Sequence, residues 1–158
     1  KKKSQSINIK KLSNKNLYLP EVTKLSSAIA KKKYIRNNLK KFQTDFIKKN
    51  PKVIIEGRDI ASKIMPNADL KIFFKCSLDE KAKRRLKEFK KLNNKIKLKD
   101  VKEALKVRDF SDKNRKESPL LFTKGAVLVD TTNLTKKKMG AKLFKLVEQS
   151  IDTKYGNI

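Results

Sequence analysis

The chain has a single cysteine, no histidine and no tryptophan among its 158 residues. Cys76 therefore has no internal disulfide partner, and with no imidazole to join it a zinc centre of Cys and His ligands is excluded. No apolar run approaches the roughly 20 residues that a membrane helix needs, and no charged, apolar and small succession marks a secretory signal. The expectation is a soluble, cytoplasmic protein with no membrane partner. Three tyrosines and eight phenylalanines, the latter mostly on apolar stripes, supply little for stacking on bases. Arginine is scarce as well: 43 residues are basic, and only six of them are arginine.

What is present is charge. The formal net charge of +27 suits a polyanion, so a basic module binding RNA or an anionic surface is one reading. The excess is almost all lysine, with asparagine and isoleucine also plentiful, which is how an AT-rich coding sequence reads. No specific nucleic-acid partner is expected. The six arginines, Arg36, Arg58, Arg84, Arg85, Arg108 and Arg115, stand out against that background, because a planar bidentate fork fits phosphate better than a lysine point charge does.

Length allows one domain with a core. Residues 7–19 alternate apolar positions like a small hairpin or meander. Pro20 opens a helix with Val22, Leu25, Ala28 and Ile29 at helical spacing, and a second helix spans about 34–47, with Ile35, Leu39, Phe42 and Phe46 on one stripe. Val53-Ile54-Ile55 reads as a buried strand ending at Gly57-Arg58-Asp59. Residues 69–74 give a second strand and 127–129 a third. Ser77, with Glu80 three residues on, caps a helix running to about residue 92. Another helix covers about 99–110, and the charge-rich pair suits an exposed hairpin. From Thr135 a last helix carries Met139, Leu143, Leu146, Val147 and Ile151 toward the sheet. Strands alternating with helices predict an α/β fold with a parallel sheet.

Arg108, Asp112 and Arg115 fall at i, i+4 and i+7, one face of a helix. A solvated salt-bridge ladder has that spacing too, but arginine at both cationic positions favours phosphate or sugar recognition. Arg84 and Arg85, late in their helix, either complement its dipole or carry charge to a transferring phosphoryl group.

Gly57-Arg58-Asp59, Pro66 to Phe73, Lys83-Arg84-Arg85, Arg108-Asp109 with Asp112 and Asn114-Arg115, Ser118-Pro119-Leu120 and Asp130-Thr131-Thr132 follow one another in an order and spacing that resemble bacterial cytidylate kinase. The resemblance runs from about Leu17 to Val147. It implies a P-loop NTPase-type nucleoside monophosphate kinase fold, a parallel sheet with flanking helices, incomplete at the N-terminus. It implies phosphoryl transfer from ATP, with Mg2+, to CMP or dCMP by a monomer, with a kinase for another nucleoside monophosphate as the alternative reading. Residues 1–50 correspond to the monophosphate-binding insert and following helices, 51–83 to core strands and helix, 84–117 to a lid-like hairpin, and 118–158 to a core strand and last helix.

Carried over by position, Ser27, Arg36 and Asp59 read cytosine. Arg58, Arg108, Asp112 and Arg115 hold the phosphate and ribose of CMP, and Arg84 and Arg85 approach the ATP phosphates. Arg84, Arg85 and Arg108 are the catalytic arginines, and no metal ligand is expected in this chain. Three departures accompany the match. No G-x-x-G-x-G-K phosphate loop occurs in the 158 residues, Ala61-Ser62 stands for the usual Gly-Thr, and Tyr18 stands for an arginine. ATP and Mg2+ are therefore expected to be held mainly by a segment outside this chain, which alone is expected to lack phosphoryl-transfer activity.

Overall fold

The computed structural model describes residues 20–30, 32–91 and 95–156. In chain order the elements are α1 (Pro20–Ile29), α2 (Lys33–Lys49), a π-helical turn (Ile60–Ile64), β1 (Lys71–Lys75), α3 (Leu78–Lys91), α4 (Leu98–Asn114), β2 (Ala126–Asp130) and α5 (Lys136–Tyr155). The predicted hairpin at 7–19 lies outside the described residues. Contacts divide the chain into two units: Lys1–Met65 with Phe110–Leu120, and Pro66–Asp109 with Leu121–Ile158.

In the second unit β1 and β2 pair in parallel, with Lys71 opposite Ala126 and Lys75 opposite Asp130. A parallel pair needs a long crossover, and the chain between the two strands contains α3 and α4. Ser77 caps α3 as its sequence predicts, its Oγ accepting the Glu80 N–H at 3.2 Å. Gly125, at a φ of 74°, makes the turn into β2 that a side-chain-bearing residue resists. The carboxyl ends of the strands are laced together: the Thr131 N–H donates to the Lys75 carbonyl at 2.8 Å and the Ser77 N–H to Thr132 Oγ1 at 2.9 Å.

The expected exposed hairpin is corrected here. Ala82, Phe89 and Val101 are buried in one apolar cluster, and Leu86, Ile96 and Leu105 pack against it. Ala82, Leu86 and Phe89 are spaced i, i+4, i+7 on α3, so a narrow stripe is enough once its edges are sealed, and the many lysines stay on the outer faces. Asp79 with Lys102, and Asp109 with Lys81, add charge pairs between the two helices.

Thr135 caps α5 by accepting the Lys138 N–H at 3.2 Å. Met139, Leu143, Leu146 and Ser150 form its half-buried face. Val147 and Ile151, expected to pack on the sheet, are each 40% exposed, because they lie on the neighbouring stripe with Phe144 and Tyr155. Among the described residues no helix is long and apolar enough to cross a membrane.

In the first unit α2 ends where Asn50 Nδ2 donates to the Phe46 carbonyl at 2.8 Å, just before Pro51. The strand predicted at Val53-Ile54-Ile55 does not form: the segment has no ladder partner among the described residues, and Ile54 is 98% exposed. β-branched composition makes a segment fit for a sheet, but a strand exists only when a neighbour shares its hydrogen bonds. The following π-turn closes with the Met65 N–H on the Ile60 carbonyl at 2.7 Å.

Gly57 admits this turn by having no side chain, since a Cβ there would stand 2.8 Å from Ile60 Cγ1. Gly57→Ala is expected to destabilise the chain by about 1–2 kcal/mol through overpacking. In the Ile60→Ala background the same change should cost far less, because the clashing atom is gone. Urea denaturation of the two single variants and the double variant measures the coupling, and strictly additive costs would refute the contact.

Candidate functional site

The first unit gathers two arginine–carboxylate groups. Arg36, in the first turn of α2, pairs through Nη2 with Asp59 Oδ2 and donates from Nη1 to the Ala30 carbonyl at 3.1 Å. The side chains are only 16% and 17% exposed, so this pair is shielded from solvent far more than a surface bridge is. Asp59 is held in turn at the entry of the π-turn, where its carbonyl accepts the Lys63 N–H at 2.8 Å and the Ser62 hydroxyl at 3.3 Å. Arg36 and Asp59 line an open cavity of about 540 Å³, whose wall also includes Gln43 and Lys63 and, from the loop after α4, Ser118 and Pro119.

Asp112 organises the second group. It lies in the last turn of α4, which runs past the predicted end at residue 110, and it is buried at 6% exposure. Its Oδ2 faces Arg58 Nε at 3.2 Å while its Oδ1 accepts from Arg115 Nη1 at 3.1 Å. Two guanidinium groups converge on one carboxylate, so the group keeps an excess of positive charge and of N–H donors, as an anionic ester requires. Arg115 Nε donates to the Ser118 carbonyl at 2.7 Å, and the Leu120 N–H returns to the Asp112 carbonyl at 2.7 Å. Arg58 and Asp59, adjacent in sequence, thus serve different partners and are not a simple turn pair.

The second unit holds the remaining arginines. Arg84 donates to Glu80 Oε1 at 2.9 Å, to the Thr131 carbonyl at 2.7 Å and to Thr131 Oγ1 at 3.3 Å. It ties α3 to the carboxyl end of β2, the edge at which open α/β sheets place ligands. Arg85 donates to Glu88 Oε2 at 2.8 Å and stacks over Phe89, 4.7 Å from the ring centre. Arg108 is half-buried on α4. At the same strand edge, hydrogen bonds from Thr132 and the nearby Lys75 ammonium hold the Asp130 carboxyl below its ordinary pKa.

The structure thus joins Arg36 to Asp59, and Arg58 to Asp112 and Arg115, within one unit, and places Arg84, Arg85 and Arg108 in the other. Ser27 is carried by α1, and its side chain lies outside the described residues. Sequence reasoning gave no role to Ser118, Gln43 or Lys81. Ser118 had a signal, its place before Pro119 just past a helix end. Gln43 lies at i+7 from Arg36 on α2, which puts it on the same helix face. Lys81, whose Nζ reaches Asp109 Oδ2 at 2.6 Å, had no signal among so many lysines.

A parallel sheet whose strands are joined through crossover helices and laced at their carboxyl edge defines an α/β protein. The family model described as "Cytidylate kinase" matches residues 1–149. The chain belongs to the cytidylate kinase family, and so to the P-loop nucleoside monophosphate kinase fold. The cytidylate kinase of Thermosipho melanesiensis is 35% identical over 143 residues, covering 90% of this chain and 65% of its own length. That of Leuconostoc mesenteroides is 39% identical over 131 residues (83% of this chain, 58% of its own), and that of Phytoplasma mali 40% over 114 residues (72% and 49%). The chain spans 49% to 65% of the length of these relatives.

Proposed function

We propose that the protein transfers the γ-phosphoryl group of ATP to CMP or dCMP, giving CDP or dCDP, as a monomer in the cytoplasm, and that this chain carries the monophosphate half of the site. The observation that carries the reading is the presence, in one unit, of a cavity faced by Arg36 and Asp59 and of the Asp112-bridged pair Arg58 and Arg115. The names of the relatives point the same way.

The donor inventory gives the base preference. An ionised carboxylate only accepts and a guanidinium only donates. Asp59 therefore suits the exocyclic amine of cytosine and Arg36 its ring carbonyl, with Ser27 as a third contact. Uracil would turn a carbonyl toward Asp59 and leave two acceptors facing each other. Arg58, Asp112 and Arg115, with Arg108, hold the phosphate and ribose. Phosphoryl transfer asks mainly for positioning and positive charge, and these arginines supply it. Arg84 and Arg85, in a lid spanning 84–117, are proposed to approach the ATP phosphates. Residues 1–50 are the proposed monophosphate insert, with 51–83 and 118–158 the core.

The remaining groups fit poorly. Among the described residues no three Asp, Glu, Cys or His side chains converge as a metal site needs, and the 158 residues contain no glycine-rich phosphate loop. When bound, ATP with Mg2+ supplies the phosphoryl group and neutralises its charge. The arginines of this chain act on phosphate oxygens, and none of its carboxylates is assigned to the metal.

Calorimetric titration of this chain is expected to show CMP and dCMP binding at least about a hundredfold tighter than UMP. A coupled ATP-consumption assay should show no turnover by the 158 residues, and turnover with CMP by a protein that joins them to a phosphate loop. Equal affinity for UMP would sink the base reading, and turnover by the chain alone would sink the division of the site.

A further inference from the structure

Ser118 has a φ of 52°, in the left-handed region that residues with a Cβ rarely enter. The residue after it is Pro119, whose ring pushes the preceding residue toward extended conformations. The position is thus unfavourable twice over, and such a conformation persists only where its surroundings over-determine it.

Those surroundings are specific. The Leu120 N–H on the Asp112 carbonyl, at 2.7 Å, folds the loop back on the end of α4. Within that closed loop the Ser118 carbonyl accepts Arg115 Nε at 2.7 Å, while Arg115 Nη1 meets Asp112 Oδ1 at 3.1 Å. Among the described residues the Ser118 hydroxyl makes no hydrogen bond, so the residue acts through its backbone. Donors on two different nitrogens of the planar guanidinium, Nε and Nη1, are held at once, which fixes the plane, and Arg115 is only 10% exposed. The direction of the remaining Nη2 donor follows. The same Ser118 and Pro119 form part of the cavity wall shared with Arg36 and Asp59.

We propose that Ser118 is a positioning residue: its left-handed backbone holds its carbonyl on Arg115 Nε and so aims the Arg58–Asp112–Arg115 group at the phosphate of a nucleoside monophosphate. The proposal rests on the monophosphate reading above and adds to it the device that orients the arginine. Preorganised donors of this kind raise affinity because the ligand does not have to order them.

The test uses Ser118→Gly, which accepts positive φ freely, and Ser118→Val, whose branched side chain resists it. The exchange of the Arg115 Nε–H with water is followed by 1H–15N spectroscopy, and CMP and cytidine binding by calorimetry. In the unsubstituted chain and in Ser118→Gly the Nε–H is expected to be protected, with CMP affinities within about twofold. Ser118→Val is expected to lose the protection and about tenfold in CMP affinity, the loss of one hydrogen bond to a charged group, while cytidine affinity is unchanged. Should Ser118→Val fail to fold, Arg115→Lys decides: it keeps the charge without the fork, and is expected to lose CMP affinity to the same degree. Full CMP affinity in Arg115→Lys, or equal losses for CMP and cytidine in Ser118→Val, overturns the proposal. Absence of CMP binding by the unsubstituted chain overturns the monophosphate reading itself. Normal CMP binding with an unprotected Arg115 Nε–H overturns the positioning alone.

Discussion

Replacing Asp112 with alanine is expected to lower the stability of the chain by about 3 kcal/mol and to weaken CMP binding more than tenfold. The Asp112 side chain is 9% exposed and is the charge partner of both Arg58 and Arg115. Its removal leaves two guanidinium groups facing each other in a partly desolvated place, in a chain whose net charge is already +27. The cost is uneven. Arg115 is 10% exposed and cannot recover its solvation, whereas Arg58, at 38%, keeps much of it, so most of the loss belongs to the Arg115 side. Asp112→Asn keeps an acceptor without the charge and should cost roughly half as much. Urea midpoints give the stability change and calorimetry the CMP affinity. A stability loss under about 1 kcal/mol would place the group among ordinary solvent-screened ion pairs.

Phe89→Ala is the second large effect, with an expected loss of about 3–5 kcal/mol. Phe89 is 5% exposed in the cluster with Ala82 and Val101, and collapse of the neighbouring Leu86, Ile96 and Leu105 would fill only part of a cavity the size of a ring. The change also removes the surface beneath Arg85, worth about 0.5–1 kcal/mol at a partly exposed site. Phe89→Leu, which leaves a smaller void, should lose much less. Hydrogen exchange checks the location as well as the size: amides of α3 and α4 should lose protection while those of α2 keep theirs. A loss below about 1 kcal/mol would mean that the α3–α4 pair is the solvated hairpin its composition suggests.

These two residues illustrate what the sequence could and could not show. Asp112 was legible, because an arginine–aspartate–arginine run at helical spacing stands out in a lysine-rich chain. Phe89 was not, because its stripe is thin and counting lysines around it hides the fact that a seam between two helices needs only one side of each. Val53-Ile54-Ile55 failed for a different reason: a strand is a property of two segments, and no reading of one segment names its partner. The cap at Ser77, by contrast, formed as predicted, since a cap is settled within four residues, and the last helix starts after Thr135 where it was expected.

By itself the sequence determined the local elements other than the strand expected at Val53-Ile54-Ile55, the parallel α/β pattern and the short list of arginines and carboxylates, because periodicity, caps and residue chemistry act over a few neighbouring positions. Tertiary structure alone decided which carboxylate serves which arginine. It sent Asp59 to Arg36 and Arg58 to Asp112, although Arg58 and Asp59 are adjacent, and it held Ser118 in a conformation that its own chemistry opposes. The two pairings depend on burial and on contacts between residues far apart in the chain, where the cost of an unpaired charge outweighs local preference, while the Ser118 conformation depends on the loop closed between Asp112 and Leu120.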